Sequence, residues 1–425
     1  MTAQVDGTPF RTEWGVAPRR APLVPPVPRE SGDLARDGAV CVIADLQPTG
    51  ISALTRLMTG PRFTDLAASL PATVPFVGPE TQERARGAPF AARIGANENV
   101  FGPSPRAVIA MKRAASEIWR YGDPENHDLK TALAAHHAIP AENIVVGEGI
   151  DALLGYLVRL LVSPGDRIVT SNGAYPTFNF HVAGYGGELV TVPYRGDHED
   201  PVALIEKAGA VDAKLIYLAN PDNPMGTRHS ASVVAAMINA VPDGSLLVLD
   251  EAYLEFAPDD TAPEFDVTAA RVIRFRTFSK AYGMAGARVG YGIGALELIA
   301  SFNKIRNHFG MNRMSLAGAQ AALADGAHLA DTLTKVAAAR ERIKTIAADS
   351  GLQVVPSATN FVAVDCGADG EFARRVLGGL IERGLFVRMP FVAPQDRCIR
   401  VTVGTEADLD LLASALPQAL EAARA

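Results

Sequence analysis

Between residues 143 and 294 the chain alternates short apolar runs with stretches of helical period. The runs fall at 143–147, 167–170, 188–192, 214–219, 245–249, 272–275 and 289–293. Near-continuous apolar character marks strands buried on both faces. The stretches between them, at 152–161, from about Tyr175, at 202–207 and at 230–240, read as the helices that cover those faces. The pattern predicts a three-layer α/β unit around a mostly parallel sheet. Upstream, Ser104 and Pro105 supply an N-cap and a first helical residue, and the helix they start is expected to run to about Trp119. A turn at 120–125 leads to a second helix ending at His137. Downstream, 295–350 reads as helical with a break at 308–311. Beyond it, runs at 360–365, 385–388 and 398–403 alternate with helices and predict a smaller α+β unit.

At 425 residues the chain is long for one core. The expected division is an N-terminal extension over 1–70, partly a disordered arm, and a segment over 71–120 that joins the small domain. A large domain over 121–310 and a small C-terminal domain over 311–425 follow. In the extension, Arg19-Arg20 invites an export-signal reading, but the prolines of 21–29 interrupt any apolar core and favour an arm. A short strand near 38–46 and one or two short helices over 48–69 are expected there. Composition, at 48% hydrophobic and 20% charged, is that of a folded protein. A net charge of −7 with no long basic run argues against nucleic acid. No apolar run is long enough to span a bilayer. The three cysteines are far apart, which suggests a reducing compartment and no disulfide framework or metal site. A cytoplasmic location is expected.

In a parallel sheet, ligands bind beyond the carboxyl ends of the strands. Gly147-Glu-Gly-Ile-Asp151 stands at one such end, where the first amides of a helix would face an anion. Its spacing also fits a dinucleotide fingerprint, but the next strand closes on Thr170-Ser171-Asn172 without the acidic residue that reading needs. Asn220-Pro-Asp-Asn-Pro-Met-Gly-Thr227 is over-specified for a mere turn, with two prolines fixing the path towards Asn223. Leu249-Asp-Glu-Ala-Tyr253 ends an apolar run on Asp250, a buried carboxylate that needs a partner, either an arginine or a protonated ring nitrogen. Thr277-Phe-Ser-Lys-Ala-Tyr-Gly-Met-Ala-Gly-Ala-Arg-Val-Gly-Tyr291 gathers hydroxyls, glycines and Arg288 around Lys280. Alone it reads equally as a loop with a solvated lysine. With the other three it supplies an anion nest, an amide, a buried acid, a phenol and an amine. Pyridoxal 5′-phosphate, whose aldehyde bonds lysine, needs these groups.

These motifs, with Arg-Val-Thr-Val-Gly-Thr405, resemble the class I/II aminotransferases of fold type I from about residue 75 onward. Within the class the chain is most similar to the histidinol-phosphate aminotransferase branch, through Ala96-Asn-Glu-Asn-Val-Phe-Gly-Pro-Ser-Pro105, Arg120-Tyr-Gly-Asp-Pro124, Val355-Pro-Ser-Ala-Thr-Asn-Phe361 and Leu385-Phe-Val-Arg388. The resemblance implies that the large domain binds pyridoxal phosphate, with Lys280 bonding the aldehyde and then shuttling a proton. It implies Asp250 on the ring nitrogen, Asn223 and Tyr253 on the ring hydroxyl, and Tyr175 stacked on the ring. Thr277, Ser279, Arg288 and the amides of Gly149, Ile150 and Asp151 would hold the phosphate. Tyr121 would reach it from the second subunit of a homodimer. Arg400 would clamp a substrate α-carboxylate, with Asn97, Asn360 and Arg388 lining the same end. Two features depart from the branch: Phe76 stands where a tyrosine is usual, and Glu148 and Ile150 replace Asn and Ser. They leave room for an amino donor other than histidinol phosphate, with a 2-oxo acid such as 2-oxoglutarate as acceptor. Two alternatives stay open: a lyase, decarboxylase or racemase using the same cofactor, and a non-catalytic ligand-binding protein.

Overall fold

The structure is a computed structural model describing residues 61–72 and 77–425. The strand expected near 38–46, the arm and Phe76 lie outside the described residues. Of the helices expected over 48–69, α1 (Asp65–Ser69) is described, with Thr64 accepting from the Ala67 amide at its N-terminus.

The strands are β1 (Ala92–Arg93), β2 (Ile144–Gly147), β3 (Arg167–Ser171), β4 (Glu188–Val192), β5 (Leu215–Ala219), β6 (Leu246–Asp250), β7 (Val272–Thr277), β8 (Gly290–Gly294), β9 (Gln353–Val354), β10 (Phe361–Asp365), β11 (Leu385–Phe386) and β12 (Cys398–Thr402). The helices are α2 (Pro79–Arg86), α3 (Pro105–Ala115), α4 (His127–His137), α5 (Gly149–Leu161), α6 (Pro176–Gly184), α7 (Pro201–Val211), α8 (Ala231–Asn239), α9 (Leu296–Ser301), α10 (Arg313–Leu323), α11 (Gly326–Asp349), α12 (Gly370–Glu382) and α13 (Glu406–Arg424).

Seven strands form one sheet in the order β2-β8-β7-β6-β5-β3-β4. Neighbours pair in parallel except β8, which is antiparallel to both β7 and β2. The reason is the link from Thr277 to Gly290. It holds only a single 3-10 turn, Ala285–Ala287, and no crossover helix to return the chain for parallel pairing. On one face of the sheet, Leu153, Leu157 and Phe178 from α5 and α6 pack on Tyr217, Val248 and Phe275. On the other, Leu204 and Val234 from α7 and α8 pack on Ile216, Leu218 and Leu249. These are the expected three layers. Leu153, Leu154 and Leu157 are fully buried, each contributing about 2 kcal/mol of apolar burial.

Helix boundaries differ from expectation at three places. Helix α7 runs to Val211 rather than 207. Helix α5 starts at Gly149 rather than 152, directly off β2, so its first amides stand at the sheet's carboxyl edge. Helix α3 ends at Ala115 rather than Trp119. Ser116 turns back onto the Arg113 carbonyl, and Ile118 and Trp119 face solvent, so no core rewards a further turn.

A second, antiparallel sheet has the order β12-β10-β9 and packs with α11, α12 and α13 in its own cluster. Strand β1 pairs in parallel with β11, and the Thr402 amide donates to the Ile94 carbonyl. The stretch after β1, which carries Asn97, is thereby tied to the strand that carries Arg400.

Candidate active site

The residues singled out at strand ends share one edge of the large sheet. Asp250 closes β6, the loop from Asn220 to Thr227 leaves β5, Thr277 closes β7, and α5 opens just past β2. Lys280 lies in the loop after β7. Asn99 holds that loop by donating Nδ2 to the carbonyls of Lys280 and Ala281, both at 3.1 Å. Lys280 Nζ donates to the Asn97 carbonyl at 3.1 Å. Burial, with Arg400 and Arg288 nearby, pulls the amine down to about 8, so a minor but real share of it is neutral near physiological pH.

Asn97 ties the site together. It is buried and left-handed, φ 55°, an uncommon conformation for a residue with a Cβ. Its Nδ2 donates to Tyr253 Oη at 2.9 Å, its Oδ1 accepts from Thr402 Oγ1, and its carbonyl also accepts from Asn360 Nδ2. Asn223 Nδ2 reaches Tyr253 Oη at 3.5 Å, while Asn223 Oδ1 accepts from Arg400 Nη1 at 2.6 Å. Asp250 is buried. Its Oδ2 accepts from Tyr217 Oη at 2.8 Å and its Oδ1 from the Ala252 amide at 3.0 Å. Burial pushes its carboxyl up, against these two donors and Lys280.

At the corner between α5 and β8, the Ser279 amide donates to Thr277 Oγ1 at 3.0 Å and Arg288 Nη1 reaches Ser279 Oγ at 3.4 Å. A Cβ on Gly149, φ +85°, would lie 2.5 Å from Arg288 Nη2. A Cβ on Gly290 would lie 2.6 Å from the Ile150 nitrogen. Helix α5 has no side-chain cap, so the amides of Gly149, Ile150 and Asp151 are left for another acceptor. The Asp151 carboxylate is turned away to His181 Nε2 at 2.9 Å. Tyr175 precedes α6 with its phenol pushed up to about 12 by burial.

Two arginines mark the other end. Arg388 and Arg400 bridge backbone to backbone, and Arg388 Nη2 donates to the Val77 carbonyl at 2.8 Å. Arg400 Nε and Asn360 Oδ1 are buried without a hydrogen-bond partner. Hydroxyls, a guanidinium and free helix amides suit a phosphate. A buried acid with no ion-pair partner among the described residues suits a protonated ring nitrogen, and a partly neutral lysine suits an aldehyde. The donor set therefore fits pyridoxal phosphate.

Comparison with known proteins decides the family. Residues 92–416 match the model of aminotransferase class I and II. The histidinol-phosphate aminotransferase of Moorella thermoacetica is 33% identical over 366 residues, covering 85% of this chain and 94% of that protein. The crystal structure of the Sinorhizobium meliloti histidinol-phosphate aminotransferase in complex with pyridoxal-5′-phosphate is 53% identical. It covers 88% of this chain and 99% of that one, with a TM-score of 0.83. The chain belongs to the class I and II aminotransferases. The fold extends to the Thermus thermophilus aspartate aminotransferase with maleate, at 20% identity and a TM-score of 0.69, covering 79% and 93% of the two chains.

In this aminotransferase the residues expected at the site converge, apart from Tyr121 and the undescribed Phe76. Tyr121 is 78% exposed, lies against Phe309 with centroids 4.9 Å apart and planes tilted by 43°, and bonds none of the others. Sequence reasoning missed Tyr217, Thr402, Asn99 and the pair Tyr194–Asp222. Asn99 and Thr402 stood inside quoted motifs. Tyr194 donates to Asp222 Oδ1 at 2.9 Å, and Asp222 Oδ2 accepts from the Met225 amide, which shapes the turn that presents Asn223. Nothing in the sequence signals that pairing, because its members lie on different segments. Among the described residues no helix is long and apolar enough to cross a membrane.

Proposed function

We propose that this aminotransferase takes pyridoxal 5′-phosphate as cofactor and moves the amino group of histidinol phosphate to a 2-oxo acid such as 2-oxoglutarate. The observation that carries the reading is the convergence of Lys280 Nζ and Arg400 on Asn97, Asn223 and Tyr253, with Asp250 facing Lys280 and Tyr253. The cofactor supplies an electron sink for the bond broken at the substrate's α-carbon. Lys280 would hold the aldehyde and, as an amine lowered to about 8, would move the proton at the substrate's α-carbon. Asp250 would pair with the ring nitrogen, Asn223 and Tyr253 would bond the ring hydroxyl, and Tyr175 would lie against the ring. Thr277, Ser279, Arg288 and the first amides of α5 would hold the cofactor phosphate.

Arg400 and Arg388 receive the substrate's anionic end, and the unpartnered Arg400 Nε is one donor for it. Asn97 and Asn360 line that end. The named relatives support histidinol phosphate as donor. In this reading 121–310 carries the cofactor, 311–425 is the smaller domain joined by 71–120, the enzyme is a cytoplasmic homodimer, and Tyr121 serves the neighbouring site. The test has two parts. Borohydride treatment of cofactor-loaded protein should label Lys280 on peptide mapping. Histidinol phosphate with 2-oxoglutarate should then yield glutamate in step with loss of donor. Labelling without glutamate from this donor, but with glutamate from another, would replace the substrate and keep the reaction.

A further inference from the structure

Asp250 is the acid on which the ring nitrogen depends, and among the described residues no lysine or arginine forms an ion pair with it. Its charge is held by two hydrogen bonds. One comes from the Ala252 backbone at 3.0 Å, which every residue type at 252 except proline can make. The other comes from a side chain. Tyr217 sits on β5, where it registers with Val248, and the register pairs Ala219 with Asp250. Tyr217 and Asp250 therefore share one face on adjacent strands, offset by two residues, a diagonal that a long aromatic side chain spans. Its hydroxyl donates to Asp250 Oδ2 at 2.8 Å. The ring is fully buried and stacked on Phe178, centroids 4.6 Å apart and planes 18° apart. The phenol cannot swing away to another partner.

A fully buried hydroxyl always needs a partner. Tyr217 could thus be satisfied by Asp250 without serving it. The surroundings argue for service. Charged or titratable groups that face Asp250 are Lys280 from the loop after β7, Glu251 and Tyr253 from the segment that follows it, Tyr175 before α6 and Glu199 before α7. Of these only Lys280 favours the ionised carboxylate. Without Tyr217 the acid keeps one hydrogen-bond donor and the Lys280 charge against burial and the acids Glu251 and Glu199.

We propose that Tyr217 is a positioning residue of this enzyme: through its hydrogen bond to Oδ2 it fixes the orientation and the charge of the Asp250 carboxylate. The proposal rests on the reading that Asp250 serves the cofactor's ring nitrogen. The bond uses only the chain's own groups, so the acid is preorganised for the ring rather than assembled around it.

The test is Tyr217→Phe, which removes one oxygen and keeps the ring on Phe178. The expected results are about a tenfold weaker dissociation constant for pyridoxal phosphate in titrations of the apo-protein and a kcat lower by about tenfold, with KM for the amino donor within about twofold. The acid limb of kcat should move up by about one pH unit, because loss of a donor favours the protonated carboxyl. A structural role alone would move the melting temperature and none of these. In Asp250→Asn, adding Tyr217→Phe should change cofactor affinity no further. Should Tyr217→Phe fail to fold, 3-fluorotyrosine at 217 keeps the packing and strengthens the donor, and the acid limb should move down. An unchanged acid limb in a folded variant overturns the proposal. If the unmodified protein labels at Lys280 and Asp250→Asn is impaired while Tyr217→Phe matches wild type, only the role of Tyr217 falls. If Lys280 does not label, or Asp250→Asn matches wild type, the underlying reading falls and takes this one with it.

Discussion

Lys280 shows how much of the chemistry is set by one residue's surroundings. Its amine is partly buried and faces Arg400 and Arg288, so its proton comes off near 8 instead of the usual lysine range. Only the neutral amine attacks an aldehyde. The rate at which apo-protein takes up pyridoxal phosphate in borohydride-trappable form should rise with pH around a midpoint near 8. A flat profile between pH 7 and 9 would contradict this environment. The phosphate corner makes a second demand. Gly149 combines φ +85° with Arg288 Nη2 at 2.5 Å from where a Cβ would stand. Gly149→Ala should lose about 1–3 kcal/mol of stability in urea unfolding, with weaker cofactor binding because Arg288 is displaced.

At the scale of elements, the ends of β6 and β7 are locked by a buried charge cluster next to the site. Glu251 follows Asp250. Its Oε1 accepts from Arg274 Nη2 at 2.6 Å and its Oε2 from Arg276 Nε at 2.9 Å. Burial alone would push this carboxyl up, but the two guanidinium groups hold it below the ordinary glutamate range. Because the folded-state value is depressed, the stabilisation is present above the unfolded value and is lost as pH falls through the folded one. Glu251→Ala strands two buried cations and should cost about 3–5 kcal/mol in urea unfolding.

This cluster also shows what the sequence could and could not tell. Asp250, Asn223 and Lys280 were legible because each lies in a short motif whose neighbours already restrict its role. The parallel layers were legible from the apolar runs of β3, β5 and β6, although β7 (Val-Ile-Arg-Phe-Arg-Thr) and the edge strand β4 (Glu-Leu-Val-Thr-Val) carry polar residues. The reversal of β8 was readable in principle, since the link after Thr277 has too little helix for a crossover. Tyr217 was not readable. Within its strand it is one more large apolar residue, and its role appears only when register sets it diagonal to Asp250. Asn97 likewise acts through a backbone carbonyl at positive φ, which no residue type advertises.

At the scale of the whole molecule, one residue expected at the site, Tyr121, lies apart from the others. Tyr121 is exposed, and beside it Ile118, Trp119 and Phe309 also present apolar surface to solvent. Several exposed large apolar side chains close in sequence, with Tyr121 against Phe309, suit an interaction surface, and a two-fold axis there would bring each Tyr121 to the other copy. The arrangement predicts complementation. Tyr121→Ala and Lys280→Ala should each be nearly inactive alone. When the two are unfolded together and refolded as a mixture, random pairing makes half the dimers mixed. Each mixed dimer has one site with both residues intact and one with both replaced. About a quarter of wild-type activity should return. The recovered activity should be absent when the proteins are refolded separately and combined afterwards, since subunits must exchange. If co-refolded mixed dimers form and no activity returns, Tyr121 serves its own chain or no site at all, and the exposed patch needs another partner.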